Sequence, residues 1–148
     1  SASALRKMTR ANFVSGIGNT PGFSVRNTSD QTFSANTNTK ATFNTEDYDS
    51  DSAFASDKFT VPSGKAGKYF FHAGVYFSPI TDADIVSCEI YVNNSAKALA
   101  REMTGTSGNI SVQCTLSVDL SAGDYVAFDI TAGSTYDDDS YIEGYLIG

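Results

Sequence analysis

Tryptophan is absent from the sequence, histidine occurs once, cysteine twice and proline three times. A single histidine, His72, would have to serve every histidine-dependent triad, and nothing around it in the sequence marks a nucleophile, so acid–base or nucleophilic catalysis has no visible carrier. Its place in the middle of an aromatic run reads as a hydrogen-bonded structural histidine. Two cysteines, Cys88 and Cys114, are too few for a disulfide framework or a zinc site. Each falls on the apolar side of an alternating segment and reads as a core thiol, with a cross-strand disulfide open if the two segments pair. No run approaches the roughly 20 apolar residues that cross a bilayer, and the first residues lack the apolar core of a signal peptide, so no membrane insertion is expected. Basic residues are also scarce, 10 against 17 acidic, for a net charge of −7 and an isoelectric point near 4.4. Such a surface repels phosphate backbones and excludes nucleic acid as a partner.

What is present is β-forming. A chain of 148 residues suits one domain, and its serine, threonine, asparagine and glycine content favours short strands with polar turns. Residues 1–22 show no sustained period and end in the turn-like Asn19-Thr20-Pro21-Gly22, which predicts an N-terminal arm or linker followed by a domain over 23–148. Strand-like segments then recur as GFSV (22–25), TKATFN (39–44), KFTV (58–61), KYFFHAGVYF (68–77), IVSCEIYVN (85–93), NISVQCTLSV (109–118), DYVAFDITA (124–132) and YIEGYLI (141–147). That spacing indicates a sandwich or barrel. Only KALAREM, residues 97–103, offers a turn of helix.

Two segments depart from simple alternation. IVSCEIYVN and NISVQCTLSV keep one polar face, with Ser87, Glu89 and Tyr91, and Ser111, Gln113 and Thr115, directed to water. KYFFHAGVYF instead sets Tyr69, Phe71, Ala73, Val75 and Phe77 on one face and Phe70, His72, Gly74 and Tyr76 on the other; YIEGYLI opposes Ile142, Gly144 and Leu146 to Tyr141, Glu143, Tyr145 and Ile147. A sheet apolar on both faces must be covered on both. Further copies of the chain are the expected second cover, through Phe70, His72, Tyr76, Tyr141 and Tyr145.

The residues then carry a family likeness. FTVPSGKAGKYFFHAGVYF, through Phe59, Thr60, Pro62, Gly67, Tyr69 and Phe71, resembles the signature of the globular head of complement C1q, a jelly roll shared with the tumour necrosis factor superfamily. FNTEDYD (43–49), LSAGDYVAF (120–128) and IEGYLI (142–147) extend the likeness in order, with Ile142 and Tyr145 standing where the family usually has phenylalanine. The resemblance implies an all-β, ten-stranded jelly-roll sandwich that forms a homotrimer through its inner sheet, to which KYFFHAGVYF and the C-terminal strand belong. It also implies binding by surface loops and no common catalytic machinery. No collagen-like Gly-X-Y run precedes the domain, and in this the chain looks like the stalkless C1q-like modules of bacteriophages and bacteria.

Three loop or arm sites are candidates. The acidic run EDYDSD places Asp47, Asp49 and Asp51 at alternate positions, oxygen donors of the kind Ca²⁺ takes, although it lacks the glycine and distal glutamate of an EF-hand and reads more simply as a solvated loop. No other cofactor is expected. The loop GSTYDDDSY (133–141), with Tyr136, Asp137 and Asp138, has a composition suited to sugar stacking and hydrogen bonding, or to a plain polar turn. Arg6, Lys7 and Arg10 form the basic cluster, either solvated or docked on an acidic neighbour. These readings converge on a non-enzymatic, trimeric virion-surface protein of a bacteriophage, a fibre tip binding a host-surface glycan or protein or a capsid decoration. The alternative is a secreted extracellular binding module.

Overall fold

The structure is a computed structural model that describes residues 20–33, 37–80, 85–103, 105, 107–132, 135–136 and 140–148. These contain strands and no helix, and therefore no helix long and apolar enough to cross a membrane. In chain order the strands are β1 (Gly22–Arg26), β2 (Gln31–Thr32), β3 (Thr39–Lys40), β4 (Thr45–Asp49), β5 (Phe54–Ala55), β6 (Lys58–Thr60), β7 (Gly67–Ile80), β8 (Ile85–Val92), β9 (Ser95–Met103), β10 (Gly108–Leu120), β11 (Tyr125–Thr131), β12 (Thr135–Tyr136) and β13 (Tyr141–Leu146). Four of the thirteen are two-residue pieces, and nine longer strands carry the architecture.

Two antiparallel sheets face each other. One has the order β10-β7-β13-β1-β4; the other runs β5-β6-β11-β8-β9, with β3 added on β11, while β12 and β2 form a separate small ribbon. Apart from the β5–β6 and β8–β9 hairpins, the strands paired in each sheet are far apart in sequence, as in a jelly roll. Between the sheets lies an aromatic core. Phe23, Phe59, Tyr69, Phe71, Phe77 and Phe128 are buried, and Phe23 stacks on Phe59 at 5.0 Å and on Phe54 at 5.1 Å between ring centroids. Tyr69 and Phe71 stack at 6.0 Å, each tilted against Phe59. Rings at these separations gain stabilisation beyond the area they bury.

Turn chemistry follows the sequence closely. Lys65 N–H donates to Pro62 C=O and Asp124 N–H to Ser121 C=O, closing two turns whose third residues, Gly64 (φ 76°) and Gly123 (φ 90°), need the left-handed region that glycine enters freely. β8 and β9 are joined through Asn93 and Asn94, both at positive φ, the conformation of the two-residue turn that matches strand twist.

Several expectations change. KALAREM is strand, most of β9, not a helical turn. It lies at a sheet edge, paired along β8 from Ile85↔Met103 to Val92↔Ser95, and the half-buried Ala98 and Ala100 pack on the core. TKATFN is strand only at Thr39 and Lys40, because the chain there leaves β11 in one sheet for β1 in the other. The acidic run is not a loop throughout: Glu46 to Asp49 lie in β4. Ser87 is buried rather than wet, its short side chain lying between Arg101 and Thr131 in register. Cys88 and Cys114 are free and buried in opposite sheets. They meet across the core, and the hydrogen bond to Cys114, then burial, push the Cys88 thiol far above its ordinary range.

Candidate assembly face and loop sites

β7 and β13 are neighbours, so the two segments with doubled apolar faces lie side by side. Their register places Tyr145 opposite Phe70, Glu143 opposite His72 and Tyr141 opposite Gly74. Because paired residues share a face, all of these point away from the sandwich core. The inward set is closed: Tyr69, Phe71, Ala73, Val75, Phe77 and Ile142 are each at most 2 % exposed.

On the outward face Phe70, His72, Tyr76 and Tyr141 are half-buried and Tyr145 is 39 % exposed. Phe70 and Tyr145 meet with centroids 5.6 Å apart, and His72 meets Tyr141 edge-on at 5.2 Å. Tyr141 Oη lies 3.2 Å from His72 Nε2, and His72 Nδ1 lies 3.4 Å from Glu143 Oε1. Both imidazole nitrogens are thus held by neighbours on β13. On its other side His72 is in register with Thr115 of β10. The Tyr141 hydroxyl is pushed above its ordinary pKa, chiefly by burial and then by Glu143.

Glycines allow this packing. A Cβ at Gly74 would stand 2.8 Å from the Tyr141 ring, and one at Gly144 would clash with the edge of the Phe71 ring, so each strand leaves a notch that the other strand's ring occupies. Around the aromatics the surface is small and polar: Ser111, Gln113, Thr115 and Ser117 of β10 on one side, Ser24 of β1 on the other.

Tyr48 belongs to this face, although in the sequence it stands among acidic residues. It lies in β4 opposite Ser24 and is 50 % exposed. With Tyr145, Thr20, Gly22 and Ser50 it lines a depression of about 280 Å³. The pairing register shifts here, with Ser24 opposite Tyr48 and Val25 opposite Glu46, so simple alternation along EDYD does not assign Tyr48 to a face.

Those carboxylates are committed elsewhere. Arg26 Nε donates to both oxygens of Asp47 at 3.1 Å. Asp49 accepts from the backbone N–H of Phe54 at 2.8 Å and Ala53 at 3.0 Å, and more weakly from Asp51 at 3.4 Å, while Asp51 accepts from Ser50. Among the described residues no three His, Cys, Asp or Glu side chains group as metal ligands would. Tyr136 is in β12, its backbone opposite Gln31; Asp137, Asp138, Arg6, Lys7 and Arg10 lie outside the described residues.

Two sheets, a five-stranded one with an outward aromatic face and a six-stranded one closing the core, define a jelly-roll sandwich. No protein-family model and no curated protein matches the sequence. Solved structures do. The globular domain of zebrafish complement 1qA superposes with a TM-score of 0.66 at 20% identity, over 86% of this chain and 98% of that one. Murine APRIL gives 0.67 at 10% identity over 85% and 98%, and Eiger TNF from S. frugiperda 0.61 at 15% over 86% and 92%. The chain therefore has the C1q/TNF-like jelly-roll fold.

Proposed function

We propose that the chain is a non-enzymatic surface domain that assembles as a homotrimer through the outward face of β7 and β13. The aromatic face carries this reading. Phe70, Tyr76, Tyr141, Tyr145 and the newly placed Tyr48 form a band that one sandwich leaves partly in water, and burying such rings against another copy removes apolar area from solvent. The polar serine and threonine side chains beside it allow close approach of a neighbouring subunit. The finer reading is a bacteriophage virion-surface protein, fibre tip or capsid decoration, docked through Arg6, Lys7 and Arg10 while the acidic jelly roll faces outward. The uneven charge distribution supports it, with three of ten basic residues within the first ten positions of a chain of net charge −7.

Light scattering on the purified protein tests assembly: a mass three times the chain's is expected, and a stable monomer at micromolar concentration would sink the face assignment. Phe70→Asp and Tyr76→Asp should each dissociate the trimer, since a carboxylate would be desolvated without a partner. Deletion of residues 1–19, which leaves β1 and its hydrogen bonds intact, should abolish incorporation into particles. The likeness to complement and TNF structures favours a second reading, a secreted binding module with no particle attached. A trimer that never enters particles would select it.

A further inference from the structure

The outer face of the second sheet holds a groove of about 350 Å³, lined by Lys40, Lys58, Tyr91, Asn94, Tyr125, Ala127 and Asp129, near the lower end of the size range of small-ligand sites. Its floor is a small residue among large ones. Val126, Phe128 and Ile130 of β11 point into the core, so Tyr125, Ala127 and Asp129 point outward. Ala127 is paired with Tyr91 on β8, and Asp129 lies between Glu89 of β8 and Lys40 of β3. A methyl side chain at this point leaves space between the two tyrosines.

The lining divides into fixed and uncommitted groups. Tyr91 is fixed: its hydroxyl donates to Glu89 at 2.9 Å and accepts from Asn38 at 2.7 Å. Lys40 is fixed on Ser56 C=O at 2.9 Å. Lys58 Nζ sits 4.9 Å over the Tyr125 ring and has no ion-pair partner among the described residues. No described residue donates a hydrogen bond to the half-buried Asp129 carboxylate, and none engages the Asn94 carboxamide. Burial first, then Glu89, raise the Asp129 pKa, with Lys40 opposing. A half-buried carboxylate without a donor is costly, and a ligand hydroxyl would satisfy it. A neighbouring cleft of about 390 Å³, which includes Val25, Phe43 and Phe54, differs here, because its Asp57 already accepts from the Phe43 N–H.

We propose that this groove binds a neutral saccharide ring, with its hydroxyls on Asp129, Lys58 and Asn94 and its C–H face on the tyrosine rings. The choice of a neutral ligand follows from charge. Lys40 and Lys58 on one side are offset by Asp129 and Glu89 on the other, so neither an anionic nor a cationic group finds a net counter-charge. An aromatic platform with an acceptor, a cationic donor and a carboxamide matches a ring of alternating hydroxyls and C–H groups. The groove lies on the sheet opposite the assembly face, so the inference stands independently of trimer and particle.

Saturation-transfer NMR and calorimetric titration of the purified full chain with methyl glucoside, methyl mannoside and lactose test it, with glucuronate as the charged comparison. Saturable binding of at least one neutral sugar at millimolar concentration is expected. Ala127→Leu, which fills the groove without touching the core, and Asp129→Asn should each weaken it at least about tenfold, with circular dichroism and Tm unchanged. Should one variant misfold, the other decides. Saturable binding of none of the neutral sugars, binding of glucuronate alone, or undiminished binding in a folded variant would overturn the proposal.

Discussion

Tyr69 joins two demands in one side chain. Its ring is fully buried between Phe59 and Phe71, while its hydroxyl donates to Lys65 C=O at 2.6 Å, tying the turn that opens β7 to the core. Tyr69→Phe should cost about 1 kcal/mol in urea unfolding, because Lys65 C=O loses its donor. Burial, with a smaller contribution from Asp51, pushes the phenol from 10.0 up to about 12. The unfolded chain therefore releases this proton at lower pH than the folded one. The associated stability is fully present below about pH 10 and is lost as pH rises through about 12. Denaturation midpoints followed across that range should fall for the native chain, with a shallower decline in Tyr69→Phe. Phe59, Tyr69 and Phe71 were legible in the sequence because alternation and the family signature agree on them. Asp49 was not: its role is to accept amide protons up to five residues further on, and only the fold reveals that bend.

At the scale of elements, β9 shows where local preference loses. Lys97, Ala98, Leu99, Ala100, Arg101, Glu102 and Met103 all favour helix in isolation. Pairing along β8 and burial of two alanines win, and Lys97, Arg101 and Glu102 protect an exposed edge from joining another sheet. The turn before it begins one residue earlier than the strand segment IVSCEIYVN suggests. Asn93 takes a positive φ, accepts from the Tyr125 N–H at 2.9 Å and donates to Asp124 at 2.7 Å, joining the β8–β9 turn to the start of β11. Asn93→Ala should destabilise by about 2 kcal/mol, from the left-handed backbone and the lost hydrogen bonds together. Thermal unfolding would check it; a change below about 0.5 kcal/mol would mean that the turn tolerates alanine. The paired strands β7 and β13 were foreseen as members of one sheet, and their two-faced patterning survives in the structure. The short β4 was missed because its carboxylates look like loop residues until Arg26 and the backbone amides that hold them are placed.

For the whole molecule, the two sheets present different outward faces. One outward face carries an aromatic band edged by small polar residues; the other carries a groove. The sequence showed the first, because a doubled apolar pattern is readable along a strand. It did not show the second, because Tyr91, Tyr125, Lys58 and Asp129 come from three strands that only the jelly-roll connections bring together. The net charge of −7 keeps copies apart in solution unless specific contacts join them. Solubility should therefore pass through a minimum near pH 4.4, measurable as turbidity in low salt, and recover on either side. A minimum displaced above pH 6 would show that the folded chain titrates differently from its composition.

The interlocked glycines of β7 and β13 act as a check on alignment. Hydrophobic patterning alone rejects a slip of one residue, which turns every side chain to the wrong face, but it is blind to a slip of two. Here a two-residue slip would carry Tyr141 off Gly74 onto His72 or Tyr76, and Phe71 off Gly144 onto Ile142 or Leu146. Both errors would occur together, one on each side of the sheet. The pair works like a key cut along both edges: the strands fit at one offset, and that offset also lines up Phe70 with Tyr145 and His72 with Glu143 on the face proposed for assembly.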